Sequence, residues 1–109
     1  MSHQSLDLVV EHEQLADRTI IRVTGELDLH TCTMLHDELA KYVPYRSPVT
    51  FDMTAVGFID STGIRSLLTL NTDALAATGE PLRVEGASEA SRRLFALTGI
   101  DRVLNVVST

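Results

Sequence analysis

The sequence predicts an α/β domain, a mixed β-sheet with helices packed on it, in the order β-β-α-β-α-β-α-β. Three observations carry this. Short β-branched runs such as Thr19-Ile20-Ile21-Arg22-Val23 and Val49-Thr50-Phe51-Asp52-Met53 have the composition of strands. Between such runs, apolar residues recur at steps of three and four, the period of a helix lying on a core. Glycine and proline stand where the helical stretches must stop, at Pro44, Gly79, Pro81 and Gly99. Strands that alternate with helices pair in parallel, whereas the two opening strands have no helix between them and make the sheet mixed.

Taken in order, Leu6 to Glu11 alternates apolar and polar residues for most of its length, as a half-buried strand does. A polar stretch from Glu13 to Asp17 connects it to the second strand, Thr19 to Val23, antiparallel to the first and ended by Gly25. From Thr31 the period changes. Cys32, Leu35, Leu39 and Val43 share one face of a first helix, His36, Asp37, Glu38 and Lys41 take the other, and Pro44 and Pro48 bracket its end. Val49 to Met53 is a third strand, followed by a loop around Gly57. A longer helix begins near Ser61 with Ile64, Leu67, Leu68 and Leu75 as its stripe, and Gly79 then Pro81 terminate it. Leu82 to Glu85 is a short strand, and Ser88 caps a third helix whose apolar members are Leu94, Phe95 and Leu97. Val103 to Val107 closes the sheet.

At 109 residues the whole chain, 1–109, makes one domain with its core over about 6–107. An apolar fraction of 44% suits a packed globule. Fifteen acidic against nine basic side chains give a net charge of −6. That excludes nucleic acid as the main partner, because phosphate binding needs a basic face. The single cysteine, Cys32, cannot form an internal disulfide and lies on the apolar helix face as a small buried hydrophobe. Met1-Ser2-His3-Gln4 lacks the basic start of a signal peptide, and no apolar run approaches the roughly 18–20 residues of a membrane span. The expectation is a cytoplasmic domain with no membrane partner.

Catalytic constellations are missing from the pattern. His3, His12, His30 and His36 have no metal-ligand spacing and read as solvated surface side chains. No glycine-rich run has phosphate-loop spacing. Phe58-Ile59-Asp60-Ser61-Thr62-Gly63 stands apart, because it places an acid, two hydroxyls and a glycine between a strand and a helix. Helix capping accounts for these residue types on its own. The same position also suits a modified hydroxyl, since a phosphate of roughly −1.5 to −2 charges is tolerated near free amides at the positive end of a helix. A nucleophile elbow needs glycine two residues before the serine, where Ile59 stands, and an aspartic-protease motif needs glycine two after the aspartate, where Thr62 stands. Neither fits.

Gly25-Glu26-Leu27-Asp28 forms a second acidic cluster, which by itself reads as a polar turn. Both clusters follow a strand and precede a helix. If those strands are parallel, the two acidic loops meet on one edge of the sheet.

With these segments in view, Val23-Thr24-Gly25-Glu26-Leu27-Asp28, Val49 to Met53, and Phe58 to Ile64 resemble the successive signatures of the STAS domain, shared by sulfate transporters and anti-sigma factor antagonists. Leu94 to Ile100 with Val103-Leu104 resembles its C-terminal helix. The resemblance implies a stand-alone anti-sigma factor antagonist, a binding protein rather than an enzyme, with no cofactor or metal. Its implied partner is an anti-sigma factor that is also a serine kinase of the histidine-kinase-like ATPase fold. Phosphorylation of Ser61, with Thr62 the runner-up, ends the binding, and a PP2C-type phosphatase restores it. Asp60 matches the acid beside the acceptor, and Glu26 and Asp28 match the other loop at the docking surface. The first turn of the second helix, Thr62, Gly63, Ile64 and Arg65, supplies part of the contact. The same resemblance also admits a regulatory subunit of a stressosome or of a lipid-transport ATPase. A small-ligand or nucleotide-binding module is the reading from another class.

Overall fold

The computed structural model describes residues 8–107. Five strands lie in the order β1-β2-β3-β4-β5: β1 is Leu8–Gln14, β2 Thr19–Leu27, β3 Val49–Ile59, β4 Arg83–Glu85 and β5 Asn105–Val106. The first pair is antiparallel and every later pair parallel, which is the mixed sheet expected. Helices α1 (Leu29–Leu39), α2 (Ser61–Thr78) and α3 (Glu89–Thr98) form the connections between the parallel strands. His3 and the start of the first expected strand, Leu6-Asp7, lie outside the described residues.

The core forms where one face of the sheet meets the helices. Ile21, Val23 and Leu27 of β2, Val49, Phe51 and Met53 of β3 and Val84 of β4 pack with Leu35, Leu39, Leu67, Leu70 and Phe95. Alternate residues turn to the opposite face, which is polar. There Arg22 reaches Glu13 at 2.8 Å and Asp52 at 3.7 Å, and Arg83 reaches Glu85 at 2.8 Å. Ion pairs this exposed contribute little stability. Their charges still discourage that face from stacking on another sheet.

Several boundaries differ from the sequence expectation, each for a tertiary reason. Glu13 and Gln14 belong to β1, because β2 offers partners as far as Gln14↔Thr19. Helix α1 stops at Leu39 and tightens into a 3-10 turn over Ala40–Tyr42. Val43, placed on its stripe, is extended and exposed; the residue before a proline is steered out of helical conformation. The third strand does not end at Met53 but runs through Gly57 to Ile59, paired with β2 along the way. In α2 the buried stripe is Ile64, Leu67, Leu70, Asn71 and Ala74, while Leu68 and Leu75 face out. Asn71 earns its interior place by accepting the Leu82 amide at 2.8 Å, which ties α2 to the start of β4. On α3 Phe95 is buried, whereas Leu97, two residues on and so about 200° round the helix, is 80% exposed. The last strand is only Asn105–Val106, with Val103 exposed before it.

Candidate functional site

The site is made where β2 and β3 end. Between Arg22↔Asp52 and Leu27↔Ile59 the register slips twice, so β3 spends two more residues than β2 over the same distance. Gly25, at φ 126°, sits at one of the slips and supplies a backbone angle that side chains resist. Leu27 and Ile59 emerge level, and each is followed at once by an aspartate that caps a helix. The parallel pairing therefore brings the two acidic loops to one edge.

Each cap is local chemistry. Asp28 accepts the Thr31 amide at 3.0 Å while its own amide donates to the Thr31 hydroxyl at 3.1 Å, a reciprocal capping box. The bond from the Thr31 amide, chiefly, holds the Asp28 carboxyl below the ordinary aspartate range. The carboxylate oxygen Oδ1 of Asp60 accepts the amides of Thr62 at 2.8 Å and Gly63 at 3.1 Å. The loops are joined by the Asp60 amide, which donates to the Leu27 carbonyl at 3.1 Å. Gly63 permits that approach. A Cβ there would lie 2.7 Å from the Leu27 oxygen and 2.5 Å from Cγ1 of Ile59.

Both carboxylates bear on Cys32, the buried residue beneath them. Burial raises its thiol, a bond to Ser66 opposes that, and the charges of Asp60 and Asp28 raise it further. A thiol held protonated in this way is inert, in line with its reading as a core residue.

The predicted site residues divide by position. Ser61 and Arg65 are exposed, as is Glu26; Asp28, Asp60 and Thr62 are half-buried. Gly63 and Ile64 are buried, so they shape the first turn of α2 from beneath and present no side chain. The Ser61 hydroxyl makes no hydrogen bond among the described residues, and it is the first residue of α2. Two neighbours were not singled out from the sequence as site residues. Leu29, the first residue of α1, is 75% exposed, and Phe58, the register partner of Glu26, is 51% exposed. Spacing could not single out Leu29, because it precedes Cys32 by three and so continues the stripe of Cys32, Leu35 and Leu39. Two histidines also prove engaged rather than merely solvated. His36 Nε2 lies 3.0 Å from the Ser66 hydroxyl, which donates to the Thr62 carbonyl at 3.2 Å, and His12 stacks on Tyr42 at 3.8 Å.

A cleft of about 440 Å³ opens between α1 and α2, lined by residues including Leu39, His36, Ser66, Leu70 and Asp73, and by none of Glu26, Asp28 or Asp60. Among the described residues no group of three or more His, Cys, Asp or Glu is placed to hold a metal ion. Among the same residues no helix is long and apolar enough to cross a membrane.

The fold and paired loops define a STAS-type domain. The family model described as "Mlab, STAS domain" matches residues 11–107, and the chain belongs to the STAS domain family. An anti-sigma-B factor antagonist of Staphylococcus epidermidis is 34% identical over 90 residues, covering 79% of this chain and 80% of that protein. An anti-sigma factor antagonist from Mycobacterium paratuberculosis superposes with a TM-score of 0.78 at 24% identity, over 94% of this chain and 87% of that one. The anti-sigma factor antagonist SpoIIAA in its unphosphorylated form gives 0.71 at 18% identity, over 92% and 89%.

Proposed function

We propose that this chain is an anti-sigma factor antagonist whose docking surface is the edge formed by the two aspartate-capped loops. Unmodified, it binds an anti-sigma factor that is also a serine kinase of the histidine-kinase-like ATPase fold, and so frees a sigma factor in the cytoplasm. Phosphorylation of Ser61 ends the binding, and a PP2C-type phosphatase reverses it. One observation carries this reading: Ser61 is exposed with its hydroxyl unengaged, at the head of α2, where the two loops meet. Thr62, the runner-up, is half-buried. The names of the relatives support the antagonist class, and SpoIIAA has also been solved in a phosphorylated form.

The chemistry belongs to the partner. A kinase brings ATP, magnesium and the base that takes the hydroxyl proton, so this chain needs only an accessible acceptor and a surface. Leu29 and Phe58 supply apolar contact beside the acceptor, and Glu26, Asp28 and Asp60 supply charge. A phosphate among these acids that weakens binding by about 3–4 kcal/mol lowers affinity a few hundredfold, enough for a switch.

Incubation with candidate anti-sigma kinases and ATP, followed by mass mapping, tests the proposal. One phosphate on Ser61 and loss of the stable complex are expected, with Ser61→Asp weakening binding and Ser61→Ala retaining it. Modification elsewhere alone, or Asp and Ala variants that both bind like the unmodified chain, overturns it.

A further inference from the structure

A phosphate on Ser61 has two possible resting places on its own chain. The helix amides are the usual one. Here Asp60 already takes two of them, accepting from Thr62 and Gly63, the second and third amides of α2, which leaves only the first. The other is Arg65. It lies four residues after Ser61 on the same helix, exposed, and among the described residues nothing engages its guanidinium. Residues four apart on a helix hold their Cβ atoms about 5–6 Å apart, and an acid placed N-terminal to a base is the favourable order. A guanidinium fork matches phosphate oxygens better than a point charge does. The carboxylates of Asp60, Asp28 and Glu26 on the facing loop ends repel a phosphate from the other side.

We propose that Arg65 is the intramolecular partner of a phosphate carried by Ser61. It is a positioning residue that turns the phosphate along α2 and away from the acidic edge. In the unmodified chain the same guanidinium is open to a carboxylate of the docking partner. Modification therefore acts twice, by adding negative charge and by withdrawing a cation from the surface. This inference rests on the reading of Ser61 as the acceptor, and its test is separable from that reading.

Phosphoserine installed at position 61 during synthesis, with no kinase involved, is titrated by phosphorus NMR in the full chain. An ordinary second phosphate pKa is about 6. With Arg65 present it falls by about 0.4 relative to Arg65→Gln, a proton affinity roughly 2.5-fold weaker, as expected of one helical ion pair. Arg65→Lys retains at least part of that difference. His30 stands in the first turn of α1, close to the capping Asp28, so the comparison is repeated in His30→Gln, where the difference persists. Superimposable curves for the parent and Arg65→Gln overturn the proposal, as does a difference that vanishes with His30→Gln. Failure of every kinase to modify Ser61, with the NMR difference intact, removes the switch and leaves the ion pair standing.

Discussion

The amide of Asp60 donates to the carbonyl of Leu27 at 3.1 Å, which ties the cap of α2 to the end of β2. The bond makes the two loops one surface, because neither strand end can shift without breaking it or dragging the other. It also explains why a small residue must follow at the third position of the helix.

Gly63→Ala is expected to cost about 2 kcal/mol, since its Cβ meets the Leu27 backbone oxygen at 2.7 Å and cannot be relieved by a side-chain rotation. Urea denaturation measures it, and amide chemical shifts at Leu27, Asp60 and Ser61 should move with it. A variant as stable as the parent, with those shifts unchanged, shows that the loops are not in contact.

Leu29→Ala and Phe58→Thr test the docking edge without touching the acceptor. Leu29 is largely exposed, so its replacement should change folding stability by less than about 0.5 kcal/mol, and that of the half-exposed Phe58 by about 1 kcal/mol. Each should weaken the complex with the anti-sigma factor by about 1–2 kcal/mol, roughly 5- to 30-fold. Calorimetric titration separates the two effects, and unchanged affinity in both variants places the contact elsewhere.

Acid stability should depend on Asp28 and Asp52. Hydrogen bonding from Thr31 lowers the Asp28 carboxyl. Burial acts to raise the Asp52 carboxyl, and the Thr54 hydroxyl at 2.6 Å, the Thr54 amide at 2.9 Å and Arg22 outweigh it, leaving it low. A carboxyl lowered by folding stabilises above its unfolded pKa of about 3.9, and the contribution fades as pH falls through the folded value. The double variant Asp28→Asn, Asp52→Asn should therefore lose less stability than the parent between about pH 5 and 2. Parallel urea midpoints across that range count against the assignment.

Tyr45 is buried, and its hydroxyl has no hydrogen-bond partner among the described residues. Burial and the nearby Asp73 push its pKa up to about 12. Tyr45→Phe should raise stability by about 1 kcal/mol, because it removes a polar group that gains nothing from its surroundings. A loss of that size in thermal unfolding instead reveals an acceptor for the hydroxyl.

What could be read from the sequence was local. Asp60, Ser61, Thr62 and Gly63 announce a helix start because capping involves residues two and three apart. Cys32, Leu35 and Leu39 announce a buried face by their spacing alone. The failures depend on partners distant in the chain. Gly57 looks like a loop until Glu26 and Leu27 of β2, paired with Phe58 and Ile59, hold β3 extended past it. Leu68 and Leu70 are equally apolar, and only the position of the sheet decides that Leu70 is the buried one. His36 and Ser66 meet across thirty residues, and no periodicity records that contact.

The units β2–α1 and β3–α2 are one device built twice, a strand end, an aspartate, then a helix. What they hold out differs, with Leu29 at the head of one helix and Ser61 at the head of the other. In the proposed docking a partner would meet two matching frames carrying unlike side chains, one oily and chemically mute, the other open to editing. Under the proposed switch, phosphate would alter only the second. In that proposal the whole change falls on the Ser61 half, and the frame that presents Leu29 is left as it was.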